Sequence, residues 1–586
     1  MMIRFTAILT AICVLTASAL AQETANQAAL AKMPVKEVTV FKDGHALVLH
    51  SGKMATDGDG NVTMDYLPAP VLGTFWPYVQ QDGATLDSVL AGRRKVSVSR
   101  TALSLAEIIE ANIGAEVVVT EAASDKDQGD KSYDATIVSI PTRSSKELEE
   151  TSPAGSGEML PQKGSIVLLK TTQGTKAVAL GQIKDITIKG EPRLKVRQDE
   201  YRNLLTLRIG WKGNQPQANV GAGLMYLQKG LRWIPSYKVT LDGQGKAKLQ
   251  LQATLVNELT DLQDVTLHLV VGVPSFKFEG QMDPMALQEQ MAQLSQHFQS
   301  SSRTAFALSN AIQSQHAFNQ NVEASAPAAN DGSQENAQQR EDLYVYDIQH
   351  VTLKKGQRLV VPISETAVSY KDVYTLDVPP APPLDAATSF YERISGDPQV
   401  VAMMTAPKVM HKIRLSNSGK APFTTAPALI LQDGQLLGQG LMQYTPAGSN
   451  VDLTVTNAVN VPCSKREKEV SRTPNAAQFD NYKFAKIELE GVLKLANKSD
   501  KAVRVEVVHY ALGNITEASH DGKIDSVNVL EDRALLLSTG GRWDWRWYSW
   551  PGWWSHFNGV GKIAWTVTIE PGKTVELKYT WHYFWR

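Results

Sequence analysis

Gly230–Pro274 reads GLRWIPSYKVTLDGQGKAKLQLQATLVNELTDLQDVTLHLVVGVP, and its spacing decides the fold class. Tyr237, Val239 and Leu241 alternate with polar neighbours until Asp242-Gly243-Gln244-Gly245 turns the chain. Leu249, Leu251, Ala253 and Leu255 alternate again, as do Val265, Leu267, Leu269 and Val271. Side chains of a strand point to opposite faces in turn, so this pattern predicts antiparallel strands with one buried face. Trp233 and Pro235 stand at the entrance, where a large ring can close one end of a sandwich core.

Outward from that stretch the same grammar recurs. VTVFKDGHALVLHSG from Val38 and the later NVTMDYLP predict a first set of strands, with Asp43-Gly44 and Asp57-Gly58-Asp59-Gly60-Asn61 as turns. The second turn is checked as a calcium loop and fails, because Val62 and Pro68 stand where such a loop needs glycine and glutamate. Ser104-Leu105-Ala106-Glu107 is a capping box for a short helix with Leu105, Ile108 and Ile109 on one face and Gly114 as its stop. Four short strand segments between Glu116 and Ile188 predict a small barrel of the SH3 kind, and Leu205, Leu207, Ile209 and Trp211 a lead-in strand.

The stretch 280–342 is rich in Gln, Ala, Ser and Asn; Leu287, Met291, Leu294 and Phe298 suggest a helix before a disordered tail. Pro379–Pro383 reads as a stiff linker. Further alternating segments follow, ending in VELKYTWHYFW. The expectation is a mainly β chain of several antiparallel β-sandwich or barrel domains with a short helix and a helical or disordered insertion. Its segments are a signal peptide at 1–21, an N-terminal β domain at 36–100, the helix and small barrel at 101–190, a central sandwich at 193–378 carrying the 280–342 insertion, and a C-terminal sandwich at 384–586.

Arg4, the apolar run Phe5–Leu15 and Ala19-Leu20-Ala21 form a secretory signal, so the chain is expected to be exported, to the periplasm or beyond the cell, with outer-membrane association a further option. Cleavage leaves Cys463 as the one remaining cysteine and rules out an intrachain disulfide. With 59 basic and 60 acidic residues there is no surplus that draws nucleic acid or anionic lipid, and no later apolar run is long enough to span a bilayer.

The segment order resembles the mucoidy-inhibitor-A-like family of exported bacterial proteins. VTVFKDGHALV resembles that family's N-terminal domain. GLRWIPSYKVTL…LHLVVGVP, LYVYDIQHVTLKKGQRLVVPI, APALILQDGQLLGQGLMQYTPAG, LKLANKSDKAVRVEVV and WTVTIEPGKTVELKY resemble its C-terminal domain. The resemblance implies a β-rich envelope or secreted protein with no established activity and no site residues to carry over. Many relatives have a long coiled coil between the two domains, where this chain has the small-barrel segment.

No zinc helix, paired Cys-x-x-Cys, phosphate loop or Gly-x-Ser-x-Gly elbow occurs, and no cofactor or metal site is expected. Histidines such as His268 and His509 lie in strands and read as structural or solvated. The conspicuous run is Arg542–Trp554, which holds Trp543, Trp545, Trp547, Trp550, Trp553 and Trp554. These rings can seal a sandwich end, form an aromatic platform for a glycan or a partner chain, or dip into a membrane interface. The reading favoured is a non-enzymatic envelope protein that binds a partner protein or polysaccharide through this candidate platform. The alternative is a hydrolase acting on an envelope polymer through two carboxylates.

Overall fold

A computed structural model describes residues 33–122, 130–153, 158–213, 215–272, 274, 276–286, 337–340, 343–378, 406–527 and 553–586. The signal segment, the proposed helix from Leu287 to Phe298 and Pro379–Pro383 lie outside the described residues. Strand accounts for 64% and helix for 5%, so the mainly β expectation holds. In chain order the first strands are β1 (Val35–Val40), β2 (His45–Ala55), β3 (Val62–Met64), β4 (Trp76–Val79) and β5 (Ala84–Thr101). Helix α1 (Leu105–Ala111) precedes β6 (Glu116–Glu121), β7 (Lys131–Ser139) and β8 (Thr142–Arg143). Helix α2 (Ser145–Thr151) precedes β9 (Gln162–Lys163), β10 (Ile166–Thr171), β11 (Gly174–Ala179), β12 (Ile183–Ile188), β13 (Lys195–Trp211) and β14 (Asn219–Lys229).

The central strands are β15 (Leu231–Leu241), β16 (Lys246–Asn257), β17 (Leu262–Val271), β18 (Ala337–Arg340), β19 (Leu343–Leu353) and β20 (Arg358–Val378). There follow β21 (Met410–Ser416), β22 (Ala426–Gln432), β23 (Gln435–Met442), β24 (Asn450–Asn457), β25 (Cys463–Phe479) and β26 (Tyr482–Ala496). The chain finishes through β27 (Val503–Ala511), β28 (Asn514–Ala518), β29 (Lys523–Ser526), helix α3 (Trp554–Phe557), β30 (Gly561–Ile569) and β31 (Thr574–Trp585).

The chain divides into two compact units. One comprises Met1–Val38, Leu47–Gln228 and Phe276–Gln293; the other Thr39–Ala46, Lys229–Ser275 and Leu294–Arg586. Within the first, β5 and β13 pair along nearly their whole length as a ribbon, Ala84 opposite Trp211 and Thr101 opposite Lys195. Ser104 caps α1 through the expected box with Glu107. The small barrel expected over Glu116–Ile188 is instead an open sheet of five strands in the order β11-β10-β7-β6-β12. Among the described residues the outer strands β11 and β12, joined by the 3-10 turn Leu180–Gln182, do not pair, so the sheet does not close. Its core is Ile109, Val117, Val119, Ile137, Val167 and Leu169. Elsewhere in this unit His50, Tyr66 and Tyr226 meet in the interior. His50 Nδ1 lies 2.9 Å from the Met33 carbonyl, to which it donates, so Nε2, 3.0 Å from Tyr226 Oη, accepts. Burial lowers the His50 pKa, which keeps the ring in that neutral form.

In the second unit the hairpin β15–β16 runs in register from Leu231–Asn257 to Leu241–Ala247, and every alternating apolar residue of the opening stretch is buried. The long β20 is the common partner: it pairs antiparallel with β16 and then β21, and parallel with β27. A four-stranded sheet, β25-β26-β31-β28, packs its inner face on β27 and β30 through Ile487, Leu489, Leu493, Val505, Val507, Ile563, Trp565, Leu577 and Trp581.

One bonding pattern recurs three times in this unit. Asn257 ends a strand, Asn417 and Asn497 each follow one, and all three are buried. The Nδ2 groups donate to Leu353 O, Thr445 O and Ile569 O respectively, at 2.8–3.0 Å. The Asn carbonyls accept from the N–H of Gly356, Gly448 and Gly572, and the Asn N–H groups donate to the carbonyls of Gln357, Ser449 and Lys573. Each Oδ1 accepts from a backbone N–H two residues on. An asparagine side chain thus repeats what a missing ladder would supply, satisfying strand-end groups that burial removes from water.

Candidate functional site

Of the six tryptophans proposed as a platform, Trp543, Trp545, Trp547 and Trp550 lie outside the described residues. Trp553 is half-buried, 4.8 Å from the Phe484 ring and 5.7 Å from that of Trp585. Trp554 opens α3, is only 4% exposed and packs on Tyr583 and Trp585. Burial therefore takes Trp554 into the sandwich core; it is not a displayed ring. The end of α3 is fastened by Asn558, which accepts from Phe584 N–H (2.7 Å) and donates to Phe584 O (3.1 Å).

Rings that are displayed come from elsewhere. Asp480 and Asn481, with φ of 48° and 63°, form the two-residue turn between β25 and β26, a left-handed pair that suits the twist of a hairpin. Phe479 and Tyr482 stand directly opposite each other across this turn, so their side chains share a face. Alternation puts that face on the side of buried Phe484, yet Phe479 is 37% and Tyr482 52% exposed. Phe479 is backed by His556 at 4.3 Å and by Phe557 edge-on at 6.2 Å, and Tyr482 by the Arg586 guanidinium at 4.2 Å. Phe557 in turn rests on Phe484 and Phe584 at 5.1 and 5.3 Å. Sequence reading missed this pair because its rings are separated from the tryptophan run along the chain; the signal available was Asp-Asn between two aromatic residues.

Further along the same strands, away from the displayed rings, lies an ionisable cluster. Tyr579 Oη donates to Glu467 Oε1 (2.8 Å), and Lys465 Nζ lies 3.1 Å from Glu467 Oε2. Glu467, Gly491 and Tyr579 are in register on three adjacent strands. Tyr579 reaches across because Gly491 has no side chain: a Cβ there would sit 2.1 Å from the phenol Cζ. Tyr78 lies over Gly223 in the same manner, where a Cβ would sit 2.0 Å from its Cζ. Burial, aided by Glu467, raises the Tyr579 phenol far above its ordinary range, so it remains a donor. His509 is fully buried with Nε2 4.0 Å from Glu467, too far to bond, and burial followed by the Lys465 charge holds its pKa well below the usual value. Cys463, beside this row on β25, has its thiol pushed up to about 11 by burial, which makes it a poor nucleophile.

A second cluster occupies the turn Phe41–His45. Lys42 is 3% exposed, bonds Thr424 Oγ1 and the Thr425 carbonyl (3.3 Å), and lies 5.4 Å from the Trp233 ring. Its own carbonyl accepts from Arg232 Nε (2.8 Å). Burial lowers the ammonium pKa to about 7. Asp43 and His45 pair at 2.6 Å, and this contact outweighs burial to keep the Asp43 carboxyl low. Among the described residues, each carboxyl with a displaced pKa is displaced downward, including Glu121 by Lys176 and Tyr133, Glu365 by Lys248, and Glu469 by Arg472. That direction belongs to ion-paired acids; a general acid needs the opposite. His268, read from the sequence as structural or solvated, is half-buried and pairs with Asp347 on the neighbouring strand at 2.6 Å.

No protein-family model matches this chain, and comparison with curated proteins likewise returns no match.

Proposed function

We propose that the protein is an exported, non-enzymatic component of the cell envelope that binds a partner protein or a polysaccharide through a displayed surface. The observation that carries this reading is the Phe479–Tyr482 ring pair, exposed at the hairpin end of a sandwich in which Glu467 is held by Tyr579 and Lys465. Exposed rings fixed from behind bind at low entropic cost, because little side-chain freedom remains to be lost. The signal-like N-terminus and the resemblance to the mucoidy-inhibitor-A-like family support export.

The test has two arms. The chain secreted by a Gram-negative host should be recovered in the periplasm or medium with its N-terminus at Gln22, and should co-sediment saturably with an envelope fraction. Retention in the cytoplasm with an intact N-terminus would reject export; absence of saturable co-sedimentation would reject binding.

A further inference from the structure

We infer that Phe479 and Tyr482 form a stacking platform for the pyranose rings of a polysaccharide. The inference rests on the binding function proposed above and assigns its ligand class. A sugar ring presents apolar C–H faces and a polar hydroxyl rim, so it suits flat rings bordered by hydrogen-bonding groups. The hairpin supplies both. Opposite residues of an antiparallel pair hold their Cβ atoms about 4.5–5.5 Å apart, which sets the two side chains on one face at the end of the hairpin. Asp480 and Asn481 in the turn and His556 and Arg586 against the rings are all exposed and offer donors and acceptors of both kinds.

The surroundings disfavour other occupants. A peptide adding to the sheet would use the edge of β25, beyond which no strand pairs among the described residues, but that strand carries Pro474, two breaks in register and the inward-facing Lys465–Glu467 pair. Those are the devices by which an edge strand refuses a further strand. An amphipathic helix needs a longer apolar groove than two rings beside the turn Asp480–Asn481 provide. Nucleic-acid bases also stack on rings, but binding them relies on a basic groove, and here Asp480 sits at the tip of a chain with net charge −1.

The test uses the full mature chain and two defined probes, native gels containing hydroxyethylcellulose and sedimentation with purified peptidoglycan sacculi. Wild type should be retarded or sedimented by at least one of them. The double variant Phe479→Ala/Tyr482→Ala should bind that probe at least about tenfold more weakly, with an unchanged melting temperature. The ring-preserving variant Phe479→Tyr/Tyr482→Phe should bind as wild type does. Failure of both probes to bind wild type, or equal binding by the alanine variant, overturns the assignment. If wild type still co-sediments with the whole envelope fraction while neither glycan binds, the general binding function stands and only the saccharide assignment falls.

Discussion

Replacing Lys42 by methionine should reverse the order of stability between wild type and variant as pH changes. The lysine has a pKa of about 7 when folded against an ordinary 10.5, because burial removes its ammonium from water and, among the described residues, its bonds go to Thr424 Oγ1 and the Thr425 carbonyl. Between those values the native state holds fewer protons than the unfolded state, so wild type gains stability as pH rises. The penalty is fully present below pH 7 and vanishes above 10.5. At about 1.36 kcal/mol per pH unit, it reaches roughly 4–5 kcal/mol at neutrality. Methionine has similar bulk and no charge; it forfeits the bonds to Thr424 and Thr425, at about 2 kcal/mol in all. Lys42→Met should therefore be more stable than wild type by roughly 2–3 kcal/mol at pH 7 and less stable by about 2 kcal/mol at pH 10.5, crossing near pH 9. Paired urea denaturation across pH 6.5–10.5 reads the difference, in which titration of other groups cancels. A variant less stable by the same amount at every pH would refute a neutral, buried Lys42.

Two more substitutions probe the sandwich. Asn497→Ala removes an amide that donates to Lys501 O and Ile569 O and accepts from Ser499, and should cost about 3 kcal/mol in urea unfolding followed by tryptophan fluorescence; a change under about 1 kcal/mol would show that the bond set contributes little. Gly491→Ala should cost about 2–4 kcal/mol in wild type but under about 1 kcal/mol when Tyr579 is already alanine, since the clash is with that ring; equal costs in both backgrounds would place the damage elsewhere.

Much of the fold was legible from period-two alternation. Tyr237, Val239, Leu249, Leu251, Val265 and Leu267 are all buried as their spacing requires, and Asp242–Gly245 is the turn. Asp57 also behaves as a turn residue, its carboxylate accepting from the N–H groups of Asp59 and Asn61. The asparagine repeat was present in the letters, as Gly356, Gly448 and Gly572 each precede a strand, but unequal spacing along the chain concealed it. The burial of Lys42 was not legible. A lysine beside Asp-Gly reads as a solvated turn, and it is β15 at Trp233 and the segment Thr424–Thr425, distant in sequence, that enclose it. The displayed ring pair was likewise hidden: two aromatic residues flanking a turn become a surface only when α3 and Arg586 arrive from behind. The densest aromatic run drew notice first, yet its Trp554 is core.

The most direct measurement follows binding and bond cleavage together. Purified mature chain is incubated with envelope polysaccharide, and bound protein and newly formed reducing ends are measured in the same tube. A protein that works by display gives saturable binding and a constant number of reducing ends. Reducing ends that accumulate with protein concentration, and cease to do so in Glu467→Gln, would contradict it.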